Sequence, residues 1–163
     1  MKDNHRIRFY EPHFDDLWFR QHLLSDPDTM SYNHAWGGTI QFTEEKWKDW
    51  FDRWIANPSG ERFYRYVTLD RSRVFIGEAA WHHDTERDLW LADIIIYYRH
   101  RGHGYGYAAL KLLCNEAKKK GIHVLHDDIA VDNPAITLFL QNGFEEEYRT
   151  NQIIMLRKEL IPD

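Results

Sequence analysis

The sequence predicts a single α+β domain over residues 1–163, with a mixed, mostly antiparallel central sheet of six to seven strands flanked by about four helices. Three observations carry this expectation. Strand-like and helix-periodic segments alternate along the chain; three central strand candidates are joined by short polar turns, the mark of antiparallel hairpins; and a β-rich run passes through a glycine-rich turn directly into an amphipathic helix. A length of 163 residues suits one domain with a real core.

The elements follow in order. Ile7-Arg8-Phe9-Tyr10 reads as a first strand, and Phe14 to Leu24 as a helix that stops before the turn residues Ser25-Asp26-Pro27-Asp28. A loop from Tyr32 to Phe42 leads to Thr43, an N-cap followed by Glu44 and Glu45 where the helix dipole favours acid. This second helix ends near Asn57-Pro58-Ser59-Gly60, and Trp47, Trp50, Phe51 and Trp54, at i, i+3, i+4 and i+7, form its inward face. Strands are expected over Arg62 to Leu69, Val74 to His82 and Leu89 to Tyr98, joined by the turns Asp70-Arg71-Ser72 and His83-Asp84-Thr85-Glu86-Arg87. The helix after the glycine-rich turn carries Ala109, Leu110, Leu113, Cys114 and Ala117 on one face, and Lys118-Lys119-Lys120-Gly121 supplies cations and a glycine at its end. Val124 to Val131 is a strand, Pro134 opens a short helix through Gln141, Asn142-Gly143 stops it, and Arg149 to Leu160 is a final strand or hairpin.

Composition narrows the functional classes. Hydrophobic residues at 43% and charged residues at 29% are ordinary for a globular protein. A net charge of −5 and a pI near 6.0 argue against general nucleic-acid binding, which wants a basic face. The lone Cys114 allows neither an intrachain disulfide nor a thiolate zinc cluster. Met1 to Arg6 leads into no apolar stretch and no run approaches the length of a membrane span, so no membrane association is expected and the cytoplasm is the default location. His100 and His103 could meet Asp127 or Asp128, but no ligand spacing supports a metal. Seven Trp, nine Tyr and nine Phe make 15% of the chain. Most are core material, but Tyr32 and Trp36 lie in a loop beside Gly37-Gly38 and are candidates to cover a pocket.

Alternating glycines between a strand and a helix let backbone N–H groups approach an anion with the helix dipole behind them. Arg101-Gly102-His103-Gly104-Tyr105-Gly106-Tyr107 lacks the Gly-Lys-Ser/Thr of a Walker loop and the third glycine of a dinucleotide fingerprint. It matches Arg/Gln-x-x-Gly-x-Gly/Ala, the turn of the GCN5-related N-acetyltransferase (GNAT) superfamily. Downstream, Asn133, Ala135, Leu138 and Phe139-Leu140-Gln141-Asn142-Gly143-Phe144 resemble that family's Asn, then Ala-x-x-Leu-Tyr-x-x-x-Gly-Phe segment. The two segments in order cover Leu89 to Phe144, and the predicted element order agrees with the family plan.

The resemblance implies acetyl-CoA as cosubstrate, its pyrophosphate on the backbone of Gly102 to Tyr107 and its pantetheine arm paired with Ile94-Ile95-Ile96 as an added strand would be. Arg101, His103, Asn133 and Phe139 join that site by the same resemblance. It also implies direct attack by a primary amine on the thioester in a ternary complex, the carbonyl polarised by a strand N–H. The family's leaving-group Tyr is Phe139 here, with no proton to give, and the interval from Asn133 to Gly143 is shorter by a residue; Tyr97, Tyr98, Tyr105 or water would serve, or the thiolate leaves unaided. The positions matching the family's Glu are the apolar Trp90 and Leu91. Asp93 and Glu78, both in apolar strands, are therefore the candidate bases, with His82 and His126 as relays. Asp128, with Asp127, would favour a cationic acceptor. The expected partner is a small-molecule amine, with a homodimer open to the chain. The rival readings are a catalytically silent acyl-CoA-binding or regulatory module, and an acetyltransferase acting on a protein N-terminus or lysine.

Overall fold

The computed structural model describes residues 7–70 and 72–161. Met1 to Arg6, and Arg71 in one predicted turn, lie outside the described residues. Among these, β1 (Ile7–Tyr10), β2 (Arg62–Leu69), β3 (Phe75–Asp84), β4 (Leu89–Ile96), β5 (Val124–Ala130), β6 (Glu145–Arg149) and β7 (Ile153–Glu159) form one sheet in the order β1-β2-β3-β4-β5-β7-β6. Every neighbouring pair is antiparallel except β4 and β5. The described helices are α1 (Leu17–Ser25), α2 (Trp47–Phe51), α3 (Tyr105–Lys119) and α4 (Ile136–Gln141). The mixed, mostly antiparallel sheet with four helices is the predicted architecture.

Alternation along the strands divides the core in two. Ala79 and Trp81 of β3 and Ala92 of β4 face α3 and α4, packing with Leu110, Leu113, Phe139 and Leu156. Ala80 and Ile95 face the other way, into a cluster with Leu17, Leu23, Trp50, Tyr64 and Tyr66. The helix dedicated to each face is thus written in the period-2 pattern of the central strands.

Three local expectations shift. The second helix is broken into a 3-10 turn at Glu44–Lys46, the α turn Trp47–Phe51 and a π turn at Asp52–Ala56. Its four aromatic residues still face inward: Trp50 is buried, and Trp47, Phe51 and Trp54 are half-buried against the same cluster. Thr43 precedes this helix, but its hydroxyl donates to the Glu45 carboxylate instead of capping the backbone. The C-terminal hairpin begins earlier than the predicted Arg149, since Glu145, Glu146 and Tyr148 already pair in the exposed edge strand β6, with Glu147 bulged out of register. An all-exposed acidic edge carries no period-2 signal and blocks further strand pairing.

Candidate active site

The site is made by a failure of pairing. Parallel β4 and β5 share a single register pair, Leu91 with His126, and then diverge. The Tyr97 N–H donates to Ile76 on the β3 side, so by strand alternation Ile95 turns its peptide toward β3 while Ile94 and Ile96 turn theirs into the gap. A cleft of about 1040 Å³ fills that gap, walled by Ile94 to Ile96 on one side and by Asp132 to Ala135 and Leu138 on the other. Its base is Arg101, Gly102 and Gly104 to Tyr107, where α3 begins.

The glycine turn is shaped by two left-handed residues. Gly102 has φ 82° and Gly104, the residue capping α3, has φ 85°. This geometry directs the first helical N–H groups, which precede the first i to i−4 bond, at the cleft. Arg101 lines the cleft, yet its guanidinium is spent on structure: Nε donates to Ile96 O at 2.9 Å and Nη2 to Thr29 O at 2.7 Å. The cradle therefore offers peptide dipoles more than side-chain charge. Asn133 lines the cleft and accepts the Ala135 N–H on its Oδ1 at 2.9 Å, fixing the start of α4.

Several expected site residues sit elsewhere. Phe139 is 2% exposed and packs edge-on against Phe144 at 5.0 Å, so it is core and forms no wall of the cleft. The apolar ring that removed the family's hydroxyl at this position also removed any reason to face water. His103 is exposed and outside the cleft lining, stacked near Tyr105. Trp36 is 51% exposed and likewise outside it, while Tyr32 lines the cleft beside His34. Of the phenols considered as acids, Tyr105 lines the cleft; Tyr97 and Tyr98 pack against each other beyond it.

The carboxylates separate by partner. Glu78 is buried, its two oxygens accepting from Arg20 Nη1 at 2.8 and 2.7 Å and one of them also from the Tyr64 hydroxyl. Asp128 pairs with Arg87 at 3.3 Å, which also holds Asp84 at 2.8 Å. Asp93 has no such partner among the described residues. It is solvent-accessible and is not one of the residues lining the cleft, yet desolvation by the surrounding protein, followed by the charge of Glu78, pushes its carboxyl up to about 7. Arg20 opposes that rise. Asp127 is buried beside Asp93 and Asp128, and burial first, then those charges, hold it well above the carboxylate range. The relay candidates are engaged elsewhere: His126 Nε2 meets Glu147 at 3.2 Å, and His82 packs edge-on to Trp54, its imidazole shifted down by burial.

Asp127 yields a stability prediction. Its folded value lies above its unfolded value, so the native state holds a proton that the unfolded chain releases, and stability is lost as pH rises toward the folded value. Asp127→Asn removes this loss. The melting temperature of that variant should exceed the parent's by several degrees at pH 8 and converge with it near pH 4, read by thermal denaturation across pH.

One pair escaped the sequence reading. His34 Nε2 and Asp132 Oδ2 meet at 2.9 Å, joining the segment between α1 and α2 to the loop between β5 and α4 across the cleft mouth. Residues so far apart in the chain leave no local signal.

The fold has known counterparts. A spermidine N-acetyltransferase from Vibrio cholerae, solved with CoA and spermine, superposes with a TM-score of 0.79 at 17% identity, covering 95% of this chain and 96% of that one. The Salmonella typhimurium protein yncA, solved with its cofactor acetyl-CoA, gives 0.71 at 19% identity, covering 97% and 98%. A ribosomal-protein-alanine N-acetyltransferase from Brucella melitensis gives 0.72 at 22% identity, covering 94% and 99%. At these identities the likeness is one of fold. No curated protein sequence matches the chain. The profile of the acetyltransferase (GNAT) domain matches residues 6–145, and the chain belongs to that family.

Proposed function

We propose that the protein transfers an acetyl group from acetyl-CoA to the primary amine of a small molecule by direct attack in a ternary complex. The observation that carries this reading is the opening between β4 and β5 directly over the N-terminus of α3. It suits one ligand with an extended amide-bearing arm and an anionic end. The arm pairs with the peptide groups of Ile94 and Ile96, and the pyrophosphate rests on Gly102 to Tyr107.

Asp93 is the base in this reading. It lies near Tyr32, which lines the cleft, and a carboxyl poised near neutrality can take the ammonium proton and leave a nucleophilic amine. Attack on the thioester carbonyl gives a tetrahedral oxyanion that a gap-facing N–H of β4 can stabilise. Collapse expels the CoA thiolate, protonated by Tyr105 or water. The carboxylates of Asp93 and Asp128 favour a cationic acceptor, and the His34–Asp132 bridge bounds the cleft mouth, which suits a compact amine better than a peptide. The neighbour solved with CoA and spermine is a spermidine N-acetyltransferase, an enzyme named for a small amine. Cys114 is buried with its thiol pushed up to about 11, an unreactive group at home in a reducing cytoplasm.

The test is thiol release from acetyl-CoA against panels of small primary amines and of peptides with free N-termini or lysines. Turnover confined to small amines is expected. Turnover on peptides alone would move the acceptor to protein, and tight CoA binding with no turnover on either panel would make the chain a binding module.

A further inference from the structure

Behind the cleft the chain buries an ion pair. Glu78 of β3 is 6% exposed, and its carboxylate is fully engaged by Arg20 of α1 and Tyr64 of β2. The Arg20 guanidinium lies 4.5 Å from the ring centre of Trp50, 5.0 Å from Phe42 and 5.4 Å from Tyr64. Its helix is pinned as well, since the Arg20 N–H donates to the Tyr66 hydroxyl at 3.2 Å and that hydroxyl donates to Asp16 O at 2.7 Å. None of these side chains lines the cleft.

Fixing α1 to β3 does not require charge. A well-packed apolar pair of similar volume commonly holds two elements as well as a buried ion pair, because the desolvation penalty consumes most of the Coulomb gain. What a charge adds is a field, and its direction is set by register. Ala80 is opposite Asp93 and Glu78 is opposite Ile95, so Glu78 and Asp93 share a sheet face as diagonal neighbours. The residue opposite Asp93 and next to Glu78 on that face is the small Ala80.

We propose, building on the reading of Asp93 as base, that Arg20 and Glu78 are positioning residues for Asp93: Glu78 presents a fixed negative charge to it across β3 and β4, and Arg20 clamps Glu78 so that this charge cannot swing into the cleft. The direction of the effect agrees. Glu78 raises Asp93 and Arg20 lowers it, with Glu78 the larger influence. The other groups facing Asp93 are Tyr32, from the segment after α1, and Asp127 and Asp128 of β5. Asp128 adds to the same rise, but it is held by Arg87 at the sheet's surface, whereas the Arg20–Glu78 pair is buried.

Three variants of the full chain test this through the pH dependence of kcat/KM with the best small amine. Glu78→Gln keeps a hydrogen-bonding partner for Arg20 and Tyr64 while removing the negative charge. Its acid limb should move down by about one pH unit, because Asp93 loses the repulsion and feels an uncompensated Arg20, and its plateau should fall severalfold as the base weakens. The double variant Arg20→Gln/Glu78→Gln is charge-balanced, which guards against misfolding of the single one. Its limb should lie between the parent and Glu78→Gln. Folded variants whose limbs both coincide with the parent's would overturn the proposal and leave the pair a scaffold. Asp93→Asn is the control for the underlying reading: the limb should vanish in it. If it persists there, Asp93 is not the base; if it vanishes there but stays fixed in the other two variants, only the positioning role fails.

Discussion

Asp93→Asn is expected to lower turnover by about 10²- to 10⁴-fold, the usual contribution of a positioned general base, while leaving CoA affinity within about twofold of the parent. The two effects separate because Asp93 and the CoA cradle are built from different parts. Asp93 points to the α1 and α2 side of β4, with Ile95, whereas the anion site is backbone at the start of α3. The parent should gain activity as pH rises through about 7, where the carboxyl gives up its proton, and this limb should be missing from the variant. Isothermal calorimetry with CoA and steady-state rates from pH 5.5 to 9 measure both. A variant that loses CoA binding in proportion to turnover would show that Asp93 supports the cleft's shape and takes no proton.

How much of this was legible in the sequence depends on the range of the interaction involved. The central strands and the glycine turn are local: apolar runs between polar turns fix β2, β3 and β4, and Gly102 and Gly104 stand where left-handed backbone is needed. The sequence likewise pointed to Asp93 and Glu78, because an acid in an apolar strand demands an explanation. What it left open was which acid had a partner. Arg20 lies 58 residues from Glu78, and although its spacing from Leu17 and Leu24 sets it on the buried stripe of α1, nothing local names its partner. The same holds for His34 and Asp132, 98 residues apart. Phe139 departs from the family pattern in the other direction. Its place in the family pattern suggested a ligand contact, but a phenyl ring gains more by packing on Phe144 than by facing a watery cleft.

Gly102→Asp should weaken CoA binding at least tenfold more than Gly102→Asn does. The comparison isolates charge. A side chain at this position meets nothing within 4 Å, so neither variant clashes, and both pay the same cost for a left-handed residue at φ 82°, a conformation that Asn and Asp tolerate better than most. Only Asp places a negative charge beside the proposed pyrophosphate site. Two unit charges about 4 Å apart repel by about 1 kcal/mol in bulk water and by about 4 kcal/mol at the effective dielectric of a protein surface, and about 1.4 kcal/mol is already tenfold in affinity. Gly104 would be a poorer probe, since it caps α3 and its replacement disturbs the helix start together with the charge. Raising the salt concentration should narrow the gap between the two variants, as screening requires. Equal CoA affinities for Asp and Asn at low salt, both folded by circular dichroism, would remove the glycine turn as the anion site.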